Sequence, residues 1–491
     1  MGTLFKNGTI ITAGEMVKAD VLVEGEVVSL IGLNLDADGH EMVDCTDMYL
    51  LPGGIDVHTH LELPFGGTVS NDDFDTGHKA MAFGGTTSHI DFVIQPIGGS
   101  LRAGLTTWRE KSKVAQVDYG YHMAVTDLRP EVMAEIPSMV EEGITSLKLF
   151  MAYKNVFQVD DTTLFKAMQI AAQHGMIVMV HAENGDVEAT LTPELLAAGH
   201  VEPKYHASSR PPEIEGEATN RAVVMAGLTN CPLYVVHMTC EESIDALRRG
   251  RAAGYPVMGE SCTQYFFLTV DDHLAAPGFE GSKYVCSPPI RSTKDHAVLW
   301  QAVKDSTLQA VSTDHCNFWY EGGVGPWQDW AEKHNGKNWV EYEQQDPSYR
   351  RPGKELGQSN FAKIPNGMPG LEERMMVIWE HGVNQGRISP SRFVELMCTN
   401  PAKIFGMYPR KGTIAVGSDA DIVVWDPNKE HTLSVDNTHM RTDYIVYEGW
   451  TVKGKPVKVY QRGNKLVDGD EWFGENGAGQ YIPRQPYAPV L

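Results

Sequence analysis

The sequence predicts an α/β protein: a TIM-like (β/α)8 barrel joined to a small β-sandwich formed from the N- and C-terminal segments. Three observations lead there. Between residues 52 and 410 short apolar runs alternate with helix-patterned stretches, the rhythm of a parallel sheet covered by helices. The rhythm repeats eight times, the number at which such a sheet closes on itself. Short β-rich runs broken by turn signals occupy only the two ends of the chain.

The elements follow in order. Thr9–Thr12, Val21–Val23 and Val27–Ile31 are short β-rich runs punctuated by Asn7-Gly8 and Glu24-Gly25. The same texture returns after Lys411-Gly412 in Ala420–Trp425, Tyr444–Val446 and Lys455–Tyr460. Neither half has enough strands to bury a core alone, so residues 1–51 and 411–491 pair as one composite sandwich. The barrel domain spans 52–410, with strands at Ile55–His60, Thr86–Phe92, Tyr119–Val125, Ser146–Met151, Ile177–His181, Leu233–His237, Val257–Ser261 and Gln309–Thr313. After the fourth strand, Asp161 reads as a helix N-cap, Leu164, Met168 and Ala171 as the buried stripe, and Gly175 as the stop. A doubly wound open sheet is the alternative, but no Gly-x-Gly-x-x-Gly turn supports a nucleotide site.

Composition narrows the class. The chain has 491 residues, and its 42 % hydrophobic content is ample for a large core. A formal charge of −23 argues against nucleic acid or an anionic membrane as partner. No apolar run is long enough to span a bilayer, and the first residues lack the layout of a signal peptide or a myristoylation site. Seven cysteines without close spacing point to reduced thiols and a cytoplasmic location.

The chemistry begins at Lys148, inside the apolar strand Ser146–Met151. Lysine is almost never fully buried without a partner, and burial favours the neutral amine. A neutral amine reacts with CO2 to give a carbamate, in effect a long carboxylate able to bridge two metal ions. The competing reading is a lysine reaching out to water from a strand end. Its sequence surroundings favour the first. His58, His60, His181, His237 and Asp314 each close a strand, and the C-terminal strand ends of such a barrel converge on one mouth. His58 and His60 lie two apart on a strand, so they share a face and can chelate one ion. Taken singly, His181 and His237 read as structural and Asp314 as an N-cap; taken together, the set reads as a metal centre. His89 and His122 lie within strands and read as core. His315 and Cys316 stay outside the set, because Cys316 lacks the paired spacing of a zinc site.

The stretches Pro52-Gly-Gly-Ile-Asp-Val-His-Thr-His-Leu-Glu62, Leu147-Lys-Leu-Phe-Met-Ala-Tyr-Lys154, Val180-His-Ala-Glu-Asn-Gly185, Val285-Cys-Ser-Pro-Pro-Ile-Arg291, Thr313-Asp-His-Cys316 and Lys363-Ile-Pro-Asn-Gly367 resemble those of the dihydropyrimidinase/D-hydantoinase branch of the cyclic amidohydrolases. The resemblance runs over nearly the whole chain. It implies a homo-oligomer, dimer or tetramer, acting on a small-molecule cyclic ureide. It also implies two divalent ions, zinc, with His58, His60 and Asp314 on one, His181 and His237 on the other, and Lys148, carbamylated by CO2, between them. Tyr153 resembles the family's tyrosine that hydrogen-bonds the substrate carbonyl, and Ser287 and Asn366 its main-chain contacts to the ring amide. The implied reaction opens dihydropyrimidines or 5-substituted hydantoins to N-carbamoyl amino acids. A metal-bridging hydroxide attacks, Asp314 shuttles the proton, and Tyr153 steadies the oxyanion. On its own residue type Tyr153 reads equally well as a rim aromatic.

Leu61-Glu62-Leu63-Pro64-Phe65 lacks the arginine that dihydroorotases place after the His-x-His. An allantoinase-like hydrolase is the alternative within the superfamily. A non-catalytic assembly protein of the collapsin-response-mediator type is the alternative from another class, set against by the complete ligand set. The chain departs from the family at 319–353, an insertion of about 35 residues holding Trp319, Trp327, Trp330 and Trp339 beside the expected mouth. It is expected to form a pocket wall or an oligomer contact rather than to supply chemistry.

Overall fold

A computed structural model describes residues 2–322 and 350–489. Eight parallel strands stand side by side in chain order: Gly54–Thr59, Thr86–Ile94, Asp118–Ala124, Ser146–Phe150, Ile177–His181, Leu233–Val235, Val257–Cys262 and Ala310–Ser312. The first and last meet where the His60 N–H donates to the His315 carbonyl at 2.9 Å and Thr59 bridges His315, so the sheet is a barrel. Its interior is filled from alternate positions by Ile55, Val57, Ile90, Phe92, Ile177, Met179, Tyr234, Val236 and Met258. The opposite faces of the strands, such as Leu147, Leu149, Val178 and Val180, pack outward against the helices.

One irregularity positions the site. Between the first two strands the register slips, so that Asp56 to Thr59 run opposite only His89 to Asp91. Such a bulge re-aims side chains. Below it Ile55 and Val57 face the interior core. Beyond it His58 and His60 face the mouth, and Thr59 turns away to His89 and Asp91.

The helix after the fourth strand spans Asp161–Gln173 and buries Leu164, Ala167, Met168 and Ala171. Its cap is Asp160, one residue before the expected Asp161; the Asp160 carboxylate accepts the Thr163 N–H at 2.7 Å. Adjacent aspartates compete for such a cap, and the one whose backbone stays extended takes it.

The terminal segments build two facing sheets. One holds Thr3–Lys6, Asp20–Glu24, Val27–Gly32 and Glu41–Asp44; the other joins Thr9–Ile11, Met16–Lys18 and Tyr49–Pro52 to Ile422–Thr432, Thr451–Gln461, Asn464–Asp468 and Glu471–Trp472. Phe5, Val21, Val23 and Val43 meet Ile10, Leu50, Ile422, Val424 and Tyr460 in a shared core. Tyr444–Val446 is not a strand. It is a buried turn packed into the main core, since a short apolar run signals burial without fixing its geometry. Buried Lys411 pins the sandwich to the barrel foot through Asp118 at 2.6 Å and Asp421 at 2.8 Å. All seven cysteines are buried and unpaired. No helix among the described residues is long and apolar enough to cross a membrane.

Candidate metal centre

The strand ends deliver His58, His60, Lys148, His181, His237 and Asp314 to one cavity, whose wall also includes Tyr153, Ser287 and Asn366. Every candidate named from the sequence thus lines the same space. Tyr153, His237 and Asp314 take left-handed backbone angles, with φ of 66°, 39° and 51°. For residues with a Cβ these are uncommon conformations, and they gather where the chain turns off a strand to aim a side chain inward.

His58 Nε2 and His60 Nε2 each lie 3.1 Å from Asp314 Oδ1. One donor atom each of His58, His237 and Asp314 falls within 4.8 Å of the others. His237 and His181 sit ring to ring at 4.6 Å, and His58 and His237 at 5.3 Å. Lys148 is fully buried, and its Nζ has no hydrogen-bond partner among the described residues. Its neighbours are the rings of Phe92 at 5.2 Å and Phe150 at 5.1 Å. Burial draws its pKa from 10.5 down to about 7, against the pull of Asp314 and Glu260. A large fraction is therefore the neutral amine near pH 7, the form that takes up CO2.

The donor set fits divalent metal. Among the described residues His60 Nδ1 and His237 Nδ1, like Lys148 Nζ, are buried without partners, and burial keeps His237 neutral and able to ligate. Burial resists charge on His58, but the Asp314 and Glu260 carboxylates outweigh it and raise the pKa to about 9. The same two carboxylates make this spot attractive to a metal cation, which would take the place of the second imidazole proton.

Two carboxylates here were not singled out from the sequence. Glu260 Oε1 lies 2.5 Å from His58 Nδ1, and its other oxygen accepts the Tyr234 hydroxyl at 3.0 Å. Glu183 Oε2 lies 2.8 Å from His181 Nε2. Burial opposes ionisation of Glu183, but His181 and Arg210 hold its pKa down to about 2. Each orients one imidazole, as outer-shell carboxylates do for metal-binding histidines. Glu260 was open to the argument applied to Lys148, being a charged residue inside the buried strand Val257–Cys262.

Tyr153 stands beside the histidines, 5.0 Å from the His181 ring, with Ser287 near its hydroxyl. Ser287 Oγ accepts from Arg210 Nε at 3.1 Å and Asn366 Nδ2 at 3.0 Å. Leu63, Phe65, Ile94, Phe150 and Phe157 make the cavity's apolar side. His89 is held by His78 and Thr59, and His122 by Ser146 and the Val57 carbonyl. His315 bonds Asp72 at 3.0 Å, which commits it elsewhere. Of the insertion, Trp319 is buried with Arg350 stacked 4.6 Å from its ring. Trp327, Trp330 and Trp339 lie outside the described residues, and with them the expected pocket-wall or oligomer role.

The pattern described as the amidohydrolase family matches residues 49–466. The D-hydantoinase of Geobacillus stearothermophilus is 44 % identical over 493 residues, covering 100 % of this chain and 98 % of that protein. The D-hydantoinase of Streptomyces coelicolor is 43 % identical, covering 98 % of each. The crystal structure of dihydropyrimidinase from Brevibacillus agri superposes with a TM-score of 0.92 at 46 % identity, covering 100 % of both chains.

Proposed function

The chain belongs to the amidohydrolase family and is a cyclic amidohydrolase of its hydantoinase and dihydropyrimidinase branch, and we propose that it opens dihydropyrimidines or 5-substituted hydantoins at a zinc pair gathered around Lys148. Family membership implies a binuclear divalent centre, and the donor set above suits one. In this reading His58, His60 and Asp314 would hold one ion and His181 and His237 the other, with Lys148, as its carbamate, as a shared ligand. When bound, the ions acidify a water and polarise the ring carbonyl.

The residues of the chain do the rest. Asp314 accepts the proton of the attacking water and delivers it to the ring nitrogen as the C–N bond breaks. The Tyr153 hydroxyl, beside Ser287 on the cavity wall, donates to the carbonyl oxygen as it gains negative charge. The polar edge at Ser287 and Asn366 meets the ring amide, while Leu63, Phe65, Phe150 and Phe157 offer an apolar wall to a 5-substituent. The product is the N-carbamoyl amino acid. A homo-oligomeric state and a cytoplasmic location belong to the same proposal.

The observation that carries this reading is the fully buried Lys148 Nζ, without a hydrogen-bond partner among the described residues, set among four histidines and an aspartate. The relatives matched are hydantoinases and a dihydropyrimidinase, which disfavours the allantoinase-like and assembly-protein alternatives. The test is turnover of hydantoin, 5-phenylhydantoin and dihydrouracil by the zinc-loaded chain, with intact mass recorded under CO2. Ring opening together with a mass gain of one CO2 that vanishes in Lys148→Ala is expected. No ring opening, or the same gain in the variant, contradicts it.

A further inference from the structure

Lys354 is a second fully buried lysine, and nothing in the chemistry above uses it. Its Nζ donates to the carbonyls of Val285 at 3.0 Å, Pro365 at 2.7 Å and Gly367 at 2.7 Å. Three acceptors consume all three protons of an ammonium. No carboxylate pairs with it among the described residues. Burying an unpaired cation costs several kcal/mol, so the contacts it makes call for an explanation in geometry.

Those contacts fall on the two stretches that carry Ser287 and Asn366. Val285–Ser287 follows the seventh barrel strand, and Pro365–Gly367 lies beyond the insertion. The two are also tied directly, by Gly367 N–H to the Val285 carbonyl at 2.9 Å and Asn366 Nδ2 to Ser287 Oγ at 3.0 Å. Gly367 has φ +149°, and a Cβ there would stand 2.1 Å from the Cys316 carbonyl oxygen. The loop is thus pressed against the chain leaving the eighth strand, and Lys354 fills the angle between the two stretches.

We propose that Lys354 is a positioning residue for the cyclic-amide ring: its ammonium locks Val285–Ser287 and Pro365–Gly367 into one polar edge and strengthens the Asn366 N–H as a donor to that ring. This rests on the cyclic-amidohydrolase reading of the cavity. The Pro365 carbonyl and the Asn366 N–H are opposite ends of one peptide group. A cation on the oxygen withdraws electron density and makes the N–H a better donor, the same polarisation that makes hydrogen-bond chains cooperative. The Asn366 N–H has no acceptor among the described residues, and Asn366 lines the cavity. Burial draws the pKa of Lys354 from 10.5 to about 7. The three carbonyls resist that loss, because a neutral amine offers only two protons to three acceptors.

The experiment uses full-length Lys354→Met and Lys354→Gln, loaded with zinc beside the parent. Zinc per chain, melting temperature, and kcat and KM on hydantoin and on 5-phenylhydantoin are measured. The expected result is unchanged zinc and a KM raised about tenfold or more in Lys354→Met, from the lost charge-assisted bonds, with kcat changed less. The factor is the same for both substrates, because both present the same ring edge. Lys354→Gln keeps two N–H donors and falls between, and it carries the comparison if Lys354→Met does not fold. A folded variant with the parental KM on hydantoin overturns the proposal. So does a loss of activity that merely follows a loss of zinc. A zinc-loaded parent that opens neither ring overturns the reading of the cavity instead, and this inference with it.

Discussion

Replacing Glu260 by glutamine removes one negative charge and little else. The side chain keeps its shape, its acceptor for His58 Nδ1 and a partner for the Tyr234 hydroxyl. In the native chain the carboxylate is fully buried, with Oε1 2.5 Å from His58 Nδ1. That contact places the imidazole proton on Nδ1 and leaves Nε2, 3.1 Å from Asp314 Oδ1, facing the cavity. A hydrogen bond to a charged acceptor contributes about 1.5–3 kcal/mol, against about 1 kcal/mol for a neutral one. The difference corresponds to a loss of roughly tenfold in affinity for the ion proposed at His58, and removing such a brace costs about 10–100-fold overall. The loss should be confined to one ion, because the brace on His181 is Glu183, on a different strand end. Zinc titration of the metal-free Glu260→Gln chain against a competing chelator should therefore show one equivalent at parental affinity and one weakened. Equal weakening of both equivalents, or no weakening, would refute the reasoning.

Other expectations follow from the same geometry. Lys148→Ala and Lys148→Arg should both fail to retain two ions per chain, arginine because it stays protonated and forms no carbamate; metal analysis after gel filtration decides, and a full complement in either contradicts the bridging role. Asp314→Asn should keep the fold but lose several orders of magnitude in kcat, since an amide relays no proton, whereas Tyr153→Phe should cost on the order of 10²–10³ for one lost oxyanion donor. Steady-state kinetics showing Asp314→Asn to be the milder change would reverse the assigned roles. Burial and the Glu372 carboxylate raise the pKa of Glu373 from 4.5 to about 8. The folded chain thus holds that proton more tightly than the unfolded chain, so this contribution to stability is full below pH 4.5 and lost as pH rises toward 8. Melting curves should show Glu373→Gln gaining on the parent between pH 5 and 8, and a constant difference would contradict the burial argument.

The barrel and its site were legible for a shared reason. Strand ends at Thr59, Phe150 and His181 fall where apolar runs stop, and a closed parallel sheet brings all such ends to one rim. The same logic placed Lys148, because a charge inside a buried strand needs a purpose. It was not carried to Glu260, whose strand supplies no ligand of its own and whose partner His58 lies 202 residues away. The bulge that turns His58 toward the mouth depends on strand pairing, which no local pattern encodes. Tyr444–Val446 misled because a buried turn and a strand share an apolar signature. Lys354 appeared in sequence only as the residue after the insertion, and its importance rests on three carbonyls brought together by tertiary folding.

The central claim is that these strand ends hold two divalent ions about a carbamylated Lys148, and that cyclic amides open there. The most direct test is a crystal of the zinc-loaded chain, active on hydantoin in the same preparation, with anomalous scattering recorded at the zinc edge. Two anomalous peaks are predicted, one among His58, His60 and Asp314 and one beside His181 and His237, with density for a carbamate continuous with Lys148 Nζ between them. A single peak, or an unmodified Lys148 in the active preparation, would contradict it.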